Sequence, residues 1–449
     1  MPLVKHVSPH RHLWLEKILP ADEGTGTAAL AVAPMVDQSD LPFRLLARKY
    51  GANLAYTPMI HSKLFTTSQN YREKFWTPGF SGHVKGDYPL VTQFCCNDPD
   101  VAVEAAKIVV DDPNVVAVDI NAGCPQGIAR RGHYGAFLLE DGERLVKIVS
   151  ALKKAVGNKV RVFVKVRLLP HHRKGMEGGN VEECGCNGEL PYEETTYDMD
   201  ASLNLYRRLI NAGASLLTIH GRTRHQKGQL TGPVSLPAIK RVVEELGHLV
   251  PIIANGGIED LADVRKVLDF TGAHGVMSSE GVLENPALFY HERVPRIELA
   301  RRFLALCRAY PPEEGGQGSG VKCIKGHIGK FLFTDLQEQE EKGKQESDTE
   351  KNDRESGSRN SIPFREQLSS CRHIDEVFTL VEHIAEFHQQ SGHDPASETP
   401  GWYLRHRKVE EGGEGNYQRM MEVKQIEVAE DTAECMGNLF GGGEDADDY

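Results

Sequence analysis

The sequence predicts a (β/α)8 barrel of the TIM type, followed by a smaller helical domain and a disordered acidic tail. Eight apolar, β-branched segments alternate with segments of helical periodicity over roughly 260 residues, the number and length of such a barrel. A doubly wound parallel sheet is the alternative fold, and it should carry a glycine-rich turn after its first strand. Residues 33–37 follow the first apolar run and contain no glycine, so the barrel is preferred.

The predicted strands are short and apolar, as parallel strands buried on both faces are. They are Leu30–Met35, Asn53–Thr57, Leu90–Phe94, Val116–Asn121, Arg161–Arg167, Leu216–His220, Pro251–Asn255 and Gly275–Ser278. Helical periodicity separates most of them. The predicted helices include Pro99–Val110, Glu143–Ala155, Ala201–Asn211, Leu236–Leu246 and Glu259–Leu268.

The barrel is predicted to span residues 29–294, after an N-terminal lead over residues 1–28 in which Leu13–Leu19 is amphipathic. Residues 170–200 interrupt the alternation between the fifth and sixth strands. The metal-ligating residue types in this insertion are His171, His172, Cys184 and Cys186. Because their spacing matches no standard zinc site, we interpret the segment as a mobile surface insertion and predict no metal site.

A helical domain is predicted over residues 295–410 because helical periodicity returns there, at Ile297–Ala309, Val321–Asp335 and Pro363–Gln390. Residues 337–361 interrupt this domain with a run rich in Glu, Lys and Ser, which has too few apolar residues to bury a core. We expect this run to be disordered. An acidic tail follows over residues 411–449.

The acidic excess belongs to the C-terminal part of the chain. Residues 1–335 carry 40 Lys and Arg against 37 Asp and Glu, whereas residues 336–449 carry 12 against 27. The net charge of −12 therefore says little about what the predicted barrel binds.

Cysteine usage and hydropathy predict a compartment. The nine cysteines are irregularly spaced and do not form a disulfide framework, and the N-terminus lacks the apolar core of a signal peptide. No segment reaches the length of a membrane span. We expect a cytoplasmic protein, with the nucleus as a second compartment, and we infer neither a membrane partner nor an obligate protein partner.

Polar side chains occur at or near the carboxyl ends of five predicted strands. They are Gln93, Asn121, Lys165, His220 and Asn255. In a barrel these strand ends converge on one face, where active sites are built. A single such residue is readily explained by a bond to a neighbouring loop, but five at equivalent positions predict an active site.

Cys124 follows the fourth of these strands within Asp119-Ile120-Asn121-Ala122-Gly123-Cys124-Pro125. Gly123 permits a tight turn and Pro125 fixes the direction of the chain after it. A thiol held in this way suits a proton donor or a nucleophile. The alternative is a small buried apolar residue, the usual role of an isolated cysteine.

Glycine-rich turns follow the last two predicted strands. Asn255-Gly256-Gly257 comes after the seventh strand and Ser279-Glu280-Gly281 after the eighth. Turns at these two places commonly bind phosphate, because their backbone N–H groups face the anion. If this site is real, the carboxylate of Glu280 must point away from it.

Together these motifs resemble the tRNA-dihydrouridine synthases. The resemblance is carried, in the order in which that family has them, by residues 33–37, Gln93, residues 119–125, Lys165-Val166-Arg167, His220-Gly221-Arg222-Thr223 and Asn255-Gly256-Gly257-Ile258. Residues 127–138, 277–281 and 285–289 resemble the eukaryotic subgroup that acts on positions 16 and 17 of the tRNA D-loop. The insertion at 170–200 and the interrupted helical domain depart from that subgroup.

The resemblance implies an FMN enzyme that uses NADPH or NADH and acts on tRNA. Its catalytic residues would be Cys124 as proton donor, Lys165 as a stabiliser of negative charge, and Asn121 against the uracil. Its FMN-binding residues would be Pro34, Met35, Val36, Gln93, Lys165, His220, Asn255, Gly256, Gly257, Ser279 and Glu280. Its RNA-binding residues would be Arg130, Arg131, His133, Arg222, Lys322, Lys325 and Lys330.

Two other functions compete with this one. A related FMN barrel could reduce a free pyrimidine, but that reaction needs no RNA-binding domain such as residues 295–410. A tRNA-binding protein without catalysis would not need Cys124, Lys165 or the phosphate turns.

Overall fold

The structure is a computed structural model. It describes residues 8–19, 28–76, 84, 86–171, 197–227, 232–311, 320–336, 362–392 and 394. Nearly all of the predicted insertion at 170–200 lies outside these residues, as do the run 337–361 and the tail 411–449. In the described part of the chain, no helix is both long and apolar enough to span a bilayer.

Nine parallel strands form one sheet in the described part of the chain, and all of them except β3 close into an eight-stranded barrel, which confirms the predicted fold. The strands are β1 Ala29–Val32, β2 Leu54–Tyr56, β3 Ile60–His61, β4 Leu90–Cys95, β5 Val115–Ala122, β6 Arg161–Arg167, β7 Leu216–His220, β8 Ile252–Asn255 and β9 Gly275–Ser278. Strand β2 pairs with β1 on one side and with β4 on the other, which completes the ring through β9, β8, β7, β6 and β5. The two-residue strand β3 continues alongside β4 beyond β2.

Helices connect the strands and extend beyond the last one. They are α1 Leu13–Ile18, α2 Leu41–Lys49, α3 Ser62–Thr67, α4 Gln69–Phe75, α5 Pro99–Val109, α6 Gly127–Arg131, α7 Gly142–Val156, α8 Met199–Asn211, α9 Leu236–Leu246, α10 Leu261–Thr271, α11 Glu280–Glu284, α12 Arg296–Ala309, α13 Val321–Phe331, α14 Phe364–Ser370 and α15 Ile374–Ser391. A 3-10 helix covers Gly135–Leu139. Aspartate or serine side chains cap the amino ends of most barrel helices, for example Asp98 at α5 and Ser235 at α9.

The first strand ends at Val32, three residues before the predicted Met35. Pro34 has no N–H to donate to a neighbouring strand. The Met35 carbonyl instead accepts bonds from the backbone N–H groups of Gln38 and Ser39, at 3.2 and 3.0 Å. These bonds turn the chain away from the barrel wall, so the segment 33–37 is a loop over the carboxyl end of β1.

The barrel interior is apolar near the amino ends of the strands. One cluster of buried side chains fills it, contributed by Ala29, Ala31, Ala33, Leu54, Tyr56, Val91, Ala117, Phe163, Leu216, Ile253 and Met277. Leu15 and Leu19 belong to the same cluster. The ring of Trp14 stacks under the Arg161 guanidinium at 4.0 Å, at the first residue of β6. Helix α1 therefore closes the amino end of the barrel, and the carboxyl end remains for a site.

The C-terminal helices pack on the barrel helix α2. His327 of α13 is fully buried, with its ring stacked on Phe43 of α2 and close to Phe303 of α12, each at 4.7 Å between ring centres. The segment predicted as helical over Pro363–Gln390 consists of two helices, α14 and α15. Lys325 donates to the carbonyls of Ser369 and Cys371, which end the first of them.

Candidate active site

The strand register brings the predicted polar residues together at the carboxyl end of the barrel. Asn121 of β5 pairs with Lys165 of β6, and His220 of β7 pairs with Asn255 of β8. Gln93 of β4 pairs with Asp119, two residues before Asn121. Because side chains alternate along a strand, these residues share the inner face.

The turn that carries Cys124 is fixed from both sides. The Asn121 side-chain oxygen accepts bonds from the backbone N–H groups of Gly123, at 3.0 Å, and of Cys124, at 2.9 Å. The Cys124 carbonyl accepts a bond from the Ala136 N–H at 2.9 Å. At Gly135 the backbone has a φ of +64°, and a Cβ there would lie 2.6 Å from the Cys124 carbonyl oxygen. Only glycine permits this close support.

The Cys124 side chain is half-buried, and burial raises the pKa of its thiol. The cations of Arg167, Lys165 and Lys227 oppose this shift without reversing it. The thiol therefore keeps its proton at neutral pH. Cys95, at the end of the adjacent strand β4, and Cys96, which follows it, are both buried, and burial also raises the pKa of each thiol.

A chain of side-chain amides runs inward from this turn. Asn121 donates from Nδ2 to Gln93 Oε1 at 3.0 Å and to the Met59 sulfur at 3.1 Å. Gln93 donates from Nε2 to Asp119 Oδ2 at 2.7 Å. Asp119 is fully buried, and burial raises its pKa to about 7. The sequence motif contained Asp119, but the sequence reading gave it no role.

Lys165 lies beside the cysteine turn. A Cβ at Gly123 would be 3.8 Å from its Nζ. Among the residues that the structure describes, Nζ has no hydrogen-bond or salt-bridge partner. Burial lowers the pKa of Lys165 to about 8, and the nearby Arg167 charge adds to this. A cation without a protein partner in a partly dry site is suited to a negatively charged ligand.

Arg167 connects two loops of the site and was not predicted as a site residue. Its Nε donates to the Gly123 carbonyl at 2.8 Å, and its Nη1 donates to the carbonyls of Thr223, at 2.8 Å, and Gln226, at 3.1 Å. Burial lowers its pKa to about 10, so it stays charged at neutral pH. Its position inside the motif Lys165-Val166-Arg167, two residues after the lysine, was the available signal, since alternation turns both side chains inward.

His220 and Arg222 form a second group beside the Gly256-Gly257 turn. Arg222 donates from Nη1 to His220 Nε2 at 3.1 Å and from Nε and Nη2 to the Gly232 carbonyl at 3.0 and 2.8 Å. Burial lowers the pKa of His220 well below its usual value, so the ring is neutral and Nε2 accepts. Gly256 has a φ of +106°, and a Cβ there would lie 3.0 Å from the His220 ring.

The two predicted phosphate turns are in contact. A Cβ at Gly281, in the turn after β9, would lie 2.3 Å from the Ile258 carbonyl oxygen in the turn after β8. Asn255 donates from Nδ2 to the Met277 carbonyl at 2.9 Å, which ties β8 to β9. Ser279 and Glu280 are half-buried at the start of α11. The carboxyl end of the barrel thus has a narrow glycine-lined edge at these strands.

The remaining predicted residues lie in different places. Pro34, Met35 and Val36 form the loop after β1. Arg130 and Arg131 are exposed at the end of α6 and His133 is exposed in the turn after it, in the segment that follows Cys124, whereas Arg222 is buried. Lys322 is exposed on α13, outside the barrel. Lys325 and Lys330 on the same helix each donate to backbone carbonyls, so their RNA-binding role remains a prediction.

Comparison with known proteins assigns the family. A model of the dihydrouridine synthase family matches residues 31–188 and 195–389. The tRNA-dihydrouridine(16/17) synthase of Saccharomyces cerevisiae is 42% identical over 264 residues, 59% of this chain and 55% of that protein. The mouse tRNA-dihydrouridine(16/17) synthase-like protein is 38% identical over 313 residues, 70% of this chain and 57% of that protein. The Schizosaccharomyces pombe tRNA-dihydrouridine(16/17) synthase is 35% identical over 306 residues.

The matched part of the chain thus spans little more than half of the yeast and mouse relatives. A family match over most of the chain, together with the closed barrel, confirms the resemblance drawn from the motifs. The chain therefore belongs to the dihydrouridine synthase family.

Proposed function

We propose that this protein reduces uridine to 5,6-dihydrouridine in tRNA. The observation that carries the proposal is the half-buried, protonated Cys124 thiol, which is fixed by Asn121 at the open end of the barrel. It lies beside the Lys165 ammonium, which has no hydrogen-bond or salt-bridge partner among the described residues. Relatives from two yeasts and the mouse are named for this activity.

Positions 16 and 17 of the tRNA are the proposed targets. Four relatives named for these positions are 35–42% identical to this chain. Four relatives named for positions 20a and 20b are 31–34% identical over similar lengths. The difference in identity supports the first assignment.

The site fits FMN as the cofactor. Gln93 has a second N–H on Nε2, and Lys165 Nζ has no partner among the described residues, so both can serve the polar edge of a flavin ring. Gly256 and Gly257 both have a positive φ, and a phosphate would be bound by the backbone N–H groups of this turn. Residues 34–36 would flank the ring, and Asn255, Gly256, Gly257, Ser279 and Glu280 would surround the phosphate. When bound, FMN would supply a hydride that NADPH or NADH provides.

Cys124 would supply the proton. Adding hydride at C6 of uracil leaves negative charge that needs a proton at C5, and the Cys124 thiol would give up its own proton there to become a thiolate. Burial raises the pKa of this thiol, so the thiol is protonated and able to act as the acid at neutral pH. Lys165 would stabilise the negative charge that develops next to it.

Asn121 would support this acid. Its oxygen is bonded to the N–H groups of Gly123 and Cys124, and its nitrogen is bonded to Gln93 and Met59. These contacts favour a supporting role over the direct uracil contact that the motif suggested.

The tRNA would approach the barrel over the loop after Cys124. Arg130, Arg131 and His133 are exposed there and could contact phosphates around a uridine that has left its stack. The C-terminal helices, with the exposed Lys322, would extend this contact surface.

The direct test is to purify the chain, record its visible spectrum, and incubate it with NADPH and an unmodified tRNA. We expect a flavin spectrum with about one FMN per chain and dihydrouridine at position 16 or 17, mapped by mass spectrometry of nuclease fragments. Reduction of free uracil but not of tRNA would identify the competing pyrimidine activity. A colourless protein that cannot be reconstituted with FMN would overturn the proposal.

A further inference from the structure

Asp119 is the innermost member of the amide chain described above. It lies two residues before Asn121 on β5, so both side chains face the barrel interior. Its side chain is fully buried. A buried carboxyl group is unfavourable unless it is hydrogen-bonded, and among the described residues Asp119 accepts one hydrogen bond, from Gln93.

The donors and acceptors of these side chains allow only one direction for the row of hydrogen bonds that runs from Asp119 to the cysteine turn. The carboxylate of Asp119 only accepts, so the NH2 group of Gln93 must face it. The Gln93 oxygen then faces Asn121, whose NH2 group must turn toward Gln93. This orientation leaves the Asn121 oxygen toward the N–H groups of Gly123 and Cys124. Turning either amide over would place two acceptors, or two donors, face to face.

The raised pKa of Asp119 does not remove this direction. Its other oxygen, Oδ1, has no hydrogen-bond partner among the described residues. The neutral form can hold its proton on Oδ1 while Oδ2 still accepts from Gln93. The titratable groups that act on Asp119 from other strands are Lys165 on the adjacent strand β6 and Tyr56 on β2.

We propose that Asp119 is a positioning residue that acts through Gln93 and Asn121 to fix the turn carrying Cys124. It touches neither the thiol nor the region where substrate would lie. Its importance for uridine reduction rests on the proposed function, but the positioning itself can be tested without flavin, NADPH or tRNA.

The test reverses the donor-to-acceptor direction of this row of hydrogen bonds. In Asn121→Asp, a carboxylate at position 121 can still accept from Gly123 and Cys124, but its second oxygen faces the Gln93 oxygen. Gln93 can turn over to relieve this repulsion only if position 119 becomes a donor, so alkylation is measured well above pH 7, where Asp119 is ionised and cannot be that donor. Asp119→Asn provides that donor. The double variant D119N/N121D should therefore restore all of the hydrogen bonds, with the side-chain amide of Gln93 turned over.

The measurement is the rate at which iodoacetamide alkylates Cys124 in the full-length protein, followed by mass spectrometry of the peptide that contains it. A loosened turn admits water, lowers the thiol pKa and speeds alkylation. We expect N121D to react roughly 5-fold faster than wild type, the factor of about one net hydrogen bond. Asp119→Leu should do the same, whereas D119N alone and the double variant should react at nearly the wild-type rate.

Thr92→Val is the matched control. Thr92 is fully buried on β4 next to Gln93, and its hydroxyl has no partner among the described residues. Its side chain points to the opposite face of the strand, so this variant should not change the alkylation rate. Circular dichroism would confirm the folding of each variant.

A double variant whose Cys124 is alkylated as fast as in N121D, or faster, would overturn the proposal. If the two residues only stabilised the fold, each substitution would add to the loss of stability and the second would not restore the wild-type rate. If N121D alone does not fold, a folded double variant supports the proposal. A wild-type alkylation rate in Asp119→Leu overturns it in either case. Since dihydrouridine formation is measured separately, failure of the proposed function would leave these outcomes unchanged.

Discussion

Arg167 holds the backbone of the cysteine turn, since its Nε donates a 2.8 Å hydrogen bond to the carbonyl of Gly123. The same guanidinium reaches the carbonyls of Thr223 and Gln226 in the loop after β7. Two loops that are far apart in sequence are therefore joined by one buried cation. A rigid planar group with several donors can do this, whereas a lysine ammonium cannot match the geometry.

Replacing Arg167 by Met should destabilise the protein and misplace Cys124. Three backbone carbonyls would lose a charged donor, so we expect the free energy of unfolding to fall by about 2–4 kcal/mol. Urea denaturation measures this change. The control is Arg207→Met, which removes an exposed ion pair with Glu245 and should change the free energy by under about 1 kcal/mol. Equal effects in both variants would contradict the role given to Arg167.

Cys124→Ala should abolish proton transfer and little else. We expect FMN content and flavin reduction by NADPH to stay near normal, because neither needs a proton at the uracil. Dihydrouridine formation in a single turnover should fall by about 10²–10⁴-fold, the range for losing a positioned acid. Cys95→Ala and Cys96→Ala are the controls, since both thiols are fully buried. Normal dihydrouridine formation by Cys124→Ala would refute the mechanism.

Lys165 should give the reaction a pH dependence near 8. Burial lowers the pKa of this ammonium to about 8, so its positive charge is present below that pH and lost above it. We expect kcat/KM, which reports the free enzyme, to fall as pH rises through this value. In Lys165→Arg the positive charge persists above pH 8, so the kcat/KM of any residual activity should stay constant to a higher pH than in wild type. Identical alkaline profiles for the two proteins would show that another group titrates.

Arg131→Gln should weaken tRNA binding through the loss of a phosphate contact. Arg131 is exposed at the end of α6, in the segment after Cys124. We expect weaker binding for all tRNA sequences and a salt dependence reduced by about one counterion. Lys159→Gln is the control, since Lys159 is exposed before β6, at the opposite end of the barrel. A fluorescence titration of each variant with tRNA at several salt concentrations measures the two affinities. Equal tRNA affinities of Arg131→Gln and Lys159→Gln would argue against the segment after Cys124 as the RNA-binding surface.

His327 should make the protein less stable in acid. Burial lowers the pKa of His327 to about 3, against a usual value of 6.5. Below pH 6.5 the imidazole is therefore protonated in the unfolded chain but stays neutral in the folded protein. Its stabilising contribution is therefore present above pH 6.5 and is lost as pH falls. Between pH 7 and pH 5 we expect a loss of about 2 kcal/mol in wild type that His327→Phe does not show. Urea denaturation of both proteins at the two pH values measures the difference, and parallel losses would contradict the prediction.

The sequence was sufficient for the barrel because local patterns specify its parts. Strands β6, β7 and β9 begin and end at the predicted residues, β4 is one residue longer than predicted at one end, and β5 is one residue longer at each end. Each strand is a compact apolar run between polar turns, a signal that needs no long-range information. The short helices α3 and α4 and the strand β3 carry no such pattern, and the sequence reading missed them.

Tertiary structure was needed wherever a role depends on contacts between distant segments. Asn121 could be placed at a strand end from sequence, but only the structure shows its amide bonded to the cysteine turn on one side and to Gln93 on the other. The family resemblance implied that Arg222 binds RNA. In the structure it is buried against His220 and Gly232.

The sequence by itself determined the eight-stranded barrel, the face on which its polar residues meet, and Cys124 as the distinctive thiol of that face. It did so because strand periodicity and strand-end position are local properties that one chain segment displays alone. Only the tertiary structure decided that Asp119 lies behind Asn121 and that Arg167 joins two loops. Hydrogen-bond direction and burial depend on residues from several strands at once, and a linear pattern does not contain that information.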